Sequence, residues 1–370
     1  MKTLNDMLRA VCVLGAAATL GLGAAGPRKA APAAPRPLAE ARIQALEARS
    51  RKLGGAVLLV WERGQLRAGG DLDPETRATP RNLMSGAKNF WALACLQAAE
   101  DGLLDLDEPA SAALPEWAGD PDKRAIRLRH LLQCSAGLEP AMRELQGPTH
   151  DDKYGAVLGV PSFAAPGAAF AYGPSSYLAL AEVLRRRLAP RGETPAAYLQ
   201  RRLMGPLGLD LATWRSDPAG NLMPYAGLSL TPDQWLAFGR MLLDRGRWAS
   251  QELLPPGALA RALAPGPANP AYGMSFWLNG AARAAGAQEA DVERWIADRP
   301  GKHNWRRACL SRSAPPDLYA CIGSYGQRLY VVPSRQLVIV HLGHCRRFVD
   351  GPFLKVLFGA QAPRNRRSRR

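Results

Sequence analysis

The spacing of apolar residues predicts a helix and then a strand near the start of the chain. Over residues 38–53 the apolar positions recur at helical intervals, and Gly54-Gly55 ends this pattern. The run Ala-Val-Leu-Leu-Val-Trp at 56–61 is typical of a short strand, and residues 65–68 can pair with it across a turn. We therefore expect a helix followed by a β-hairpin.

The middle of the chain is predicted to be helical and its end to return to strands. Helical spacing is clearest at 89–100, 177–188, 196–203 and 232–245. Alternating strands at 328–332 and 337–342 flank a turn at 333–335, and helical spacing resumes at 352–360. Strands at both ends with helices between them predict an α/β (α+β layered) fold. In this fold one antiparallel sheet, built from both chain ends, is flanked by helices and interrupted by an inserted, mostly helical domain.

Composition adds size and charge to this picture. The chain has 370 residues, 47% of them hydrophobic, which is enough for one large core and excludes a disordered or coiled-coil protein. The 48 basic residues against 32 acidic ones give a net charge of +16. Such a charge favours attraction to anionic polymers or membrane surfaces, but it does not determine a fold.

Both termini differ from the globular part. Lys2 and Arg9 precede the uncharged stretch 11–25, which ends in small residues and is too short to span a bilayer, so residues 1–25 are predicted to be a secretory signal. We expect the exported protein to be periplasmic or extracellular, with no transmembrane span after cleavage. Residues 26–38 are predicted to be an Ala/Pro-rich linker and residues 359–370 a disordered, Arg-rich tail.

Five cysteines remain after removal of the signal, and their odd number leaves at least one thiol unpaired. Cys95 lies in a helical pattern and is expected to be a small buried residue. Cys309, Cys321 and Cys345 lie close enough in sequence to supply one bridge. The sequence does not determine the pairing among these three and Cys134.

Ser85-Gly86-Ala87-Lys88 is the first candidate for chemistry. Three residues are nearly one helical turn, so the Ser85 hydroxyl and the Lys88 amine would lie on the same face. A serine nucleophile needs an adjacent proton acceptor, and a partly buried lysine with a lowered pKa can serve. The alternative is an ordinary helix start with Ser85 as its N-cap.

From Ser85 onward the chain resembles β-lactamase-related serine hydrolases, which include class C β-lactamases, D-Ala-D-Ala peptidases, lactamase-like esterases and 6-aminohexanoate-oligomer hydrolases. Residues 85–109 look like the family's nucleophile helix. Ile-Arg-Leu-Arg-His-Leu-Leu-Gln-Cys-Ser-Ala-Gly-Leu at 126–138 is similar to its T-I-R-H-L-L-x-x-T-S-G-L segment. Residues 198–210 and 225–246 resemble two further stretches, and the resemblance covers about 40–357. It implies one domain at 39–358, with sheet parts at 39–80 and 266–358 and a helical part at 81–265.

The resemblance also implies a second catalytic element, Tyr-x-Asn, whose tyrosine acts with the lysine as general base. Tyr172 matches this position, and we expect the nearby Lys88 cation to lower its pKa towards phenolate. The asparagine position holds Pro174, which has no side-chain donor. Ser175 or Ser176 is the candidate replacement for that polar contact. A capping or packing tyrosine is the alternative interpretation.

The third element of the family, Lys-Thr-Gly or His-x-Gly on the strand lining the site, falls on Cys321-Ile322-Gly323. Gly323 keeps the small residue, but Cys321 replaces the cation that helps to hold a substrate carboxylate. This departure weakens the β-lactamase and D-Ala-D-Ala peptidase interpretations and favours the esterase and aminohexanoate-hydrolase branch. The implied oxyanion hole uses the backbone N–H groups of Ser85 and Ser324.

Other chemistries have less support. His341, His344 and Cys345 end a strand without a carboxylate or a distant ligand, so we expect packing and no metal. The chain has no Gly-x-Ser-x-Gly elbow and no Walker loop, so neither a Ser-His-Asp triad nor nucleotide chemistry is predicted. The Arg-rich tail has no interleaved aromatic residues, so we expect no sequence-specific nucleic acid, and the serine-hydrolase interpretation implies no cofactor.

Three hypotheses follow for the function. The first is an exported serine hydrolase that acts on a small or oligomeric ester or amide through a Ser85 acyl-enzyme, with Lys88 and Tyr172 as the base. The second is a protein of the same fold, impaired in catalysis by Pro174 and Cys321, that binds an anionic cell-envelope polymer. The third is a β-lactamase or D-Ala-D-Ala peptidase.

Overall fold

The structure is a computed structural model that describes residues 36–360. The predicted signal 1–25, most of the linker and most of the Arg-rich tail lie outside the described residues. The described α-helices are α1 (Glu40–Leu53), α2 (Pro74–Ala78), α3 (Ala87–Glu100), α4 (Leu128–Leu132), α5 (Met142–Gln146), α6 (Lys153–Ala156), α7 (Ser175–Leu188), α8 (Pro195–Leu199), α9 (Pro232–Leu243), α10 (Ala258–Ala262), α11 (Val292–Trp295) and α12 (Asp350–Phe358).

The strands come from both ends of the described chain and from short connections between them. They are β1 (Gly55–Glu62), β2 (Gln65–Ala68), β3 (Arg81–Asn82), β4 (Ser229–Leu230), β5 (Arg247–Trp248), β6 (Gln251–Glu252), β7 (Trp277–Leu278), β8 (Gln288–Glu289), β9 (Ala308–Cys309), β10 (Tyr319–Gly323), β11 (Gln327–Val332) and β12 (Leu337–Gly343). Each segment predicted as helix or strand is present. The helix expected at 196–203 is divided into α8 and a π-helical turn, Gln200–Met204.

One six-stranded antiparallel sheet is the backbone of the fold, with strand order β2-β1-β12-β11-β10-β7. The predicted hairpin is the β11–β12 pair, in which Val331 lies opposite Val338. Strand β1 joins it from the other end of the chain, with Leu59 opposite Val340. The antiparallel sheet from both ends, with helices inserted between them, confirms the predicted fold class.

Both faces of the sheet are covered, which explains why β11 and β12 are apolar almost throughout. Successive strand residues point to opposite faces. On one face α9 packs so closely that a Cβ at Gly239 would lie 2.6 Å from Val338 and 2.7 Å from Leu329. On the other face Phe353 of α12 stacks near Tyr330, with 6.3 Å between ring centroids. Neither face is left to solvent, so alternation of polar and apolar residues would not be stable here.

Helix α3 lies in the inserted region and is buried around its whole circumference. Its residues from Ala87 to Ala98 are all buried, as expected for a helix surrounded by protein. The Gln97 amide donates hydrogen bonds to the carbonyls of Arg202 (2.7 Å) and Leu253 (2.6 Å), so its burial is compensated. This helix holds Lys88 in the interior.

The five described cysteines are buried free thiols, so the bridge considered among Cys309, Cys321 and Cys345 is not formed. Cys95 is a buried helix residue, as predicted. Among residues 36–360, the structure contains no helix with the length and apolar character needed to cross a bilayer.

Candidate active site

Ser85 lies in the turn that leads into the central helix. A 3-10 turn, Met84–Gly86, precedes α3. Met84 has φ 51°, a left-handed conformation that is uncommon for a residue with a side chain, and its N–H donates to Asn82 Oδ1 (2.8 Å). Such strained positions cluster at functional sites, because the surrounding structure must hold them in place. The turn leaves Ser85 half-buried at the start of α3.

The structure brings Ser85 and Lys88 together as their spacing predicts. Lys88 Nζ donates to Ser85 Oγ at 3.1 Å and to the carbonyl oxygen of Tyr225 at 3.1 Å. Helix α3 has no side-chain cap. The Ser85 hydroxyl therefore contacts the lysine, and the N-cap alternative does not describe it.

Lys88 is buried and is available as a base. Its side chain is 3% exposed, and among the described residues no carboxylate pairs with it. Because burial penalises the ammonium form, the pKa of Lys88 is lowered to about 7. Three tyrosine rings stabilise the ammonium form in part through cation–π contacts, since their centroids lie 4.5 Å (Tyr172), 5.6 Å (Tyr177) and 5.9 Å (Tyr225) from Nζ. Near neutral pH the amine is therefore partly unprotonated.

Tyr172 reaches the same place from the segment before α7, but it is not a phenolate. Burial raises the pKa of its phenol, and a hydrogen bond with Ser85 opposes that rise only in part. The expectation that Lys88 lowers the pKa of Tyr172 is wrong, because Nζ lies over the face of the ring and is itself partly neutral. Tyr172 is thus a neutral hydroxyl beside Ser85 that can relay a proton.

Pro174 occupies the position that holds asparagine in related proteins, and it lies at the N-terminal boundary of α7. Ser175 and Ser176 follow it in the first turn of α7 and are buried. In the described part of the chain, neither hydroxyl forms a hydrogen bond with Ser85, Lys88 or Tyr172. The suggested polar replacement is therefore not present in this arrangement.

The end of β10 lies against the Ser85 turn. A Cβ at Gly323 would stand 2.1 Å from the carbonyl oxygen of Leu83, so only glycine fits this crossing. Strand β7 pairs with Tyr319 and Ala320 alone, so the last residues of β10 have no strand partner on that edge, and Gly323 lies against the Ser85 turn. Ser324, half-buried, begins the turn into β11. Cys321 is a buried thiol and supplies no cation.

Sequence reasoning missed a buried ionic network behind this turn. Arg328 of β11 donates to Asp350 (2.8 Å), to Glu293 (2.9 Å) and to the carbonyl oxygen of Gly323 (2.6 Å). Arg328 and Asp350 have no exposed side-chain surface. A charged residue inside an otherwise apolar strand was the available signal, but nothing local indicated its partners.

Sequence reasoning also missed the polar neighbours of Lys88. Ser275 donates to the carbonyl oxygen of Lys88 (3.0 Å) and hydrogen-bonds with Tyr177. Cys134 lies close to the lysine, and burial raises the pKa of its thiol to about 11. A thiol with this pKa stays neutral, so Cys134 does not neutralise the ammonium.

Aromatic side chains form one wall of the site. A narrow cavity of about 20 Å³ lies beside Tyr172, lined also by Phe170, Trp295 and Trp305. Phe170 and Trp305 approach to 5.2 Å between ring centroids. Asp298 and Arg299 also line this cavity, so its surface is partly aromatic and partly polar.

The histidines near the end of β12 have other partners. His341 Nδ1 bonds with the Gly326 carbonyl (2.7 Å), and burial lowers the pKa of this imidazole to about 4. His344 stacks on Tyr325 at 4.8 Å between centroids. Among residues 36–360, no group of three or more His, Cys, Asp or Glu side chains could hold a metal ion.

The chain is similar to known proteins in both sequence and structure. A family model described as Beta-lactamase matches residues 39–349. Monacolin J acid methylbutanoyltransferase from Aspergillus terreus is 31% identical over 169 residues, which cover 39% of this chain and 40% of that protein. The match thus spans well under half of this relative.

Solved structures resemble the chain over most of its length. A penicillin-binding protein homologue from Caulobacter crescentus gives a TM-score of 0.60 at 16% identity, with 86% of this chain and 96% of that chain covered. A family VIII carboxylesterase gives 0.60 at 17% identity, with 88% and 97% covered. At these identities the likeness shows a shared fold.

Proposed function

The chain belongs to the beta-lactamase family of serine hydrolases, and we propose that it cleaves an ester or amide through an acyl-enzyme on Ser85. One observation carries this proposal: the buried Lys88 amine, with its pKa lowered to about 7, lies 3.1 Å from the Ser85 hydroxyl. A serine with an adjacent neutral amine is an activated nucleophile. The proposed site also contains Tyr172 and the backbone N–H groups of Ser85 and Ser324.

In the proposed acylation step, neutral Lys88 accepts the Ser85 proton as Oγ bonds to the carbonyl carbon. The carbonyl oxygen becomes an oxyanion, held by the N–H groups of Ser85 and Ser324. The intermediate then collapses, the bond to the leaving group breaks, and the proton passes from Lys88 through the Tyr172 hydroxyl to that group. The products are the acyl-enzyme and a free alcohol or amine.

Deacylation runs through the same groups. Water gives a proton to the amine of Lys88 as its oxygen attacks the acyl carbon, and the second tetrahedral intermediate releases Ser85 Oγ. Ser85 recovers its proton, and the acid product leaves. An alcohol in place of water would give acyl transfer, the reaction in the name of the Aspergillus relative. Adding methanol during turnover and measuring methyl ester against free acid separates the two outcomes.

The decisive test is labelling with a serine-reactive fluorophosphonate. Wild type should be labelled, Ser85→Ala should not, and Ser111→Ala, a serine hydrogen-bonded to the carbonyl of Arg124 away from the site, should label like wild type. Persistent labelling of Ser85→Ala would exclude Ser85 as the nucleophile. A panel of aryl esters, linear and cyclic amides and β-lactams then identifies the substrate class.

We expect esters and amides to exceed β-lactams in that panel. Cys321 stands where relatives carry a cation, so a substrate carboxylate has no counter-charge from this strand position. Rapid hydrolysis of nitrocefin would instead support the β-lactamase or peptidase alternative.

A second candidate function, binding of an anionic polymer, is favoured by a separate surface cleft of about 620 Å³. This Trp–Arg cleft is lined by Trp61, Arg240, Arg245, Arg247 and Trp248. The Arg240 guanidinium lies 4.2 Å from the Trp61 ring centroid and 5.3 Å from that of Trp248. Asp244 also lines the cleft, but among the described residues no carboxylate lies within ion-pair distance of its three arginines. Stacked, unpaired guanidinium groups are suited to phosphate or carboxylate ligands.

Binding of polyphosphate and of polygalacturonate, measured at low and high salt, tests this second candidate. Arg240→Met combined with Arg247→Met should weaken binding about tenfold, since each lost phosphate or carboxylate contact removes counter-ion release. Arg261→Met, an exposed arginine elsewhere, is the control. If wild type also turns over aryl esters, the cleft is an accessory site of an enzyme and the impaired-enzyme hypothesis is wrong.

Export remains part of the proposal, because its signal segment lies outside the described residues. Cleavage near Gly23-Ala24-Ala25 should give a mature chain that begins close to residue 26. N-terminal sequencing of the protein from a periplasmic fraction or from culture medium checks this. A full-length chain retained in the cytoplasm would contradict it.

A further inference from the structure

Arg328 is a fully buried cation whose position is fixed on three sides. Its guanidinium donates to Asp350 Oδ1 (2.8 Å) and Glu293 Oε1 (2.9 Å), and its third arm donates to the carbonyl oxygen of Gly323 (2.6 Å). Burial by itself would lower the pKa of Arg328, but the charges of Asp350 and Glu293 raise it. Arg328 therefore keeps its positive charge inside the protein.

The same network holds the whole turn after β10, which we call the oxyanion corner (residues 323–326). The Glu293 carboxylate accepts from the N–H groups of Tyr325 (2.9 Å) and Gly326 (3.1 Å). Tyr325 has φ 62°, so a conformation that is costly for a tyrosine is maintained by these bonds. The Gly323 carbonyl and the N–H groups of residues 325 and 326 are therefore all directed into the network.

The Ser324 N–H is the exception in this corner. It belongs to the same peptide unit as the Gly323 carbonyl, and in a trans peptide the C=O and N–H bonds point in opposite directions. Because the carbonyl points to Arg328, the Ser324 N–H points away from it. Gly323 itself crosses the Ser85 turn, where a Cβ would meet the carbonyl oxygen of Leu83.

We propose that Arg328 is a positioning residue for acyl transfer: it orients and polarises the Gly323–Ser324 peptide, so that the Ser324 N–H becomes a stronger donor to the oxyanion. The inference rests on the acyl-enzyme mechanism proposed for Ser85. A charged hydrogen bond to a carbonyl draws electron density towards oxygen and strengthens the N–H of the same peptide as a donor. Arg328 thus acts on the site from behind the strand through this peptide, whereas the Cys321 thiol is a buried group that supplies no cation.

Two observations favour this role over a purely structural one. Buried ion pairs contribute little net stability compared with well-packed apolar residues, so stability alone is a weak reason for this network. The positive charge also reaches the site, because it acts to lower the pKa of Tyr172 against the larger effect of burial.

The main test is the double variant Arg328→Met with Asp350→Asn, which removes the cation together with its fully buried carboxylate partner. The second partner, Glu293, is partly exposed and keeps its hydrogen bonds from the N–H groups of Tyr325 and Gly326. The amide introduced by Asp350→Asn can still accept from the Tyr330 hydroxyl, which bonds to Asp350 at 2.5 Å in the wild type. We expect kcat for a p-nitrophenyl ester to fall about 10- to 100-fold with KM within twofold, because only the transition state carries the oxyanion. Binding of phenylboronic acid, which forms a tetrahedral adduct with Ser85, should weaken by the same factor as kcat/KM.

Tyr330→Phe is the matched control. It removes a hydrogen bond from the same buried network but leaves the Gly323–Ser324 peptide untouched, so kcat should stay within about threefold of wild type. Equal losses in Tyr330→Phe and in the double variant would overturn the proposal, as would a rise in KM with kcat unchanged. Thermal unfolding of each variant shows whether it is folded at the assay temperature.

Arg328→Lys gives the test if the double variant does not fold. A lysine keeps a cation for Asp350 but lacks the Nη1 group that donates to the Gly323 carbonyl. We expect kcat and boronate affinity to fall together, about tenfold. A folded Arg328→Lys protein with wild-type kcat and boronate affinity would overturn the proposal. Ser85→Ala in the same assay distinguishes failure of the acyl-enzyme mechanism from failure of the Arg328 proposal. If Ser85→Ala still turns over the ester, the acyl-enzyme on Ser85 is refuted. If Ser85→Ala is inactive but the Arg328 variants keep wild-type activity, only the role of Arg328 is refuted.

Discussion

Two buried cations lie on opposite sides of the proposed site, and the protein treats them in opposite ways. Lys88, at the start of α3, has no carboxylate partner among the described residues, and burial lowers its pKa to about 7. Arg328, behind the oxyanion corner, is bonded to Asp350 and Glu293, and these charges raise its pKa. The first cation is arranged to lose its proton and the second to keep its charge.

The difference matters for energetics as well as for chemistry. A lysine whose pKa falls from 10.5 to about 7 on folding destabilises the folded state by about 5 kcal/mol when it is fully protonated in both states. In the oxyanion corner, by contrast, the hydrogen bonds of Arg328 that orient Ser324 also connect β10, β11 and α12, so they contribute to the folded structure as well. Loss of the Lys88 amine should therefore lower activity and raise stability, whereas a change in the oxyanion corner should lower both.

The largest effect is expected from Lys88→Met, which removes the proposed base. The value of kcat/KM should fall about 10³- to 10⁴-fold, in the upper range for the loss of a general base. Stability should rise, because a buried ionisable group is replaced by an apolar side chain of similar length. Steady-state kinetics and thermal unfolding at pH 7 measure both quantities, and the melting temperature should increase by at least about 2 °C.

Ser50→Ala is a suitable reference for Lys88→Met, since it also alters a buried polar side chain but lies in α1, away from the site. It should leave kcat/KM near the wild-type value. If Lys88→Met lowers stability instead, the lysine is not destabilising and its pKa is not depressed. Titration of wild-type stability adds to this comparison: the cost of Lys88 is greatest below pH 7, declines between pH 7 and 10.5, and is absent above.

Gly323→Ala is expected to have the next largest effect and, unlike Lys88→Met, to lower both activity and stability. The new methyl group would stand 2.1 Å from the carbonyl oxygen of Leu83, so either β10 or the Ser85 turn must shift. We expect a loss of about 1–3 kcal/mol from overpacking and a fall in kcat of about 10²-fold, as when an oxyanion donor is displaced. Chemical denaturation and ester hydrolysis measure the two effects.

Gly280→Ala provides the control, because a Cβ at Gly280 meets no atom within 4 Å. It should change neither stability nor kcat by a measurable amount. A Gly323→Ala protein with wild-type kcat would show that the crossing of β10 over the Ser85 turn has no part in catalysis. In that case the oxyanion corner would contribute to stability alone, and only the Lys88 side of the site would affect catalysis.

The parts of the structure that could be predicted from sequence are those that depend on residues close together in the chain. Ser85 and Lys88 are three residues apart on one helical turn, so their contact follows from local geometry, and the resemblance to known hydrolases added Tyr172. The sheet was predicted from the short apolar run of β1 and from the two strand-like segments of β11 and β12 with the turn between them. Because both faces of the sheet are covered, β11 and β12 are apolar almost throughout, so the predicted alternation itself is not present. All of this depends on short-range patterns.

The rest depends on residues far apart in the chain. Glu293, Arg328 and Asp350 meet only because the sheet and α12 fold together, and no spacing in the sequence brings them into register. The neutral state of the Tyr172 phenol was also missed, because burial outweighs the neighbouring lysine and burial is a property of the completed fold. The sequence therefore predicts which groups lie together better than it predicts their protonation.

The smallest expected effect is the pH dependence of kcat/KM, and it tests the comparison without changing the base itself. The unprotonated amine of Lys88 is the active form, so kcat/KM should rise about tenfold between pH 6 and 8, with a midpoint near 7. The double variant Arg328→Met with Asp350→Asn should lower the whole curve and keep that midpoint, because burial, not Arg328, depresses the pKa of Lys88. A midpoint that moves by more than about half a unit in this variant would mean that the two cations act as one coupled group. A flat profile in wild type would remove Lys88 as the base, whatever its distance from Ser85.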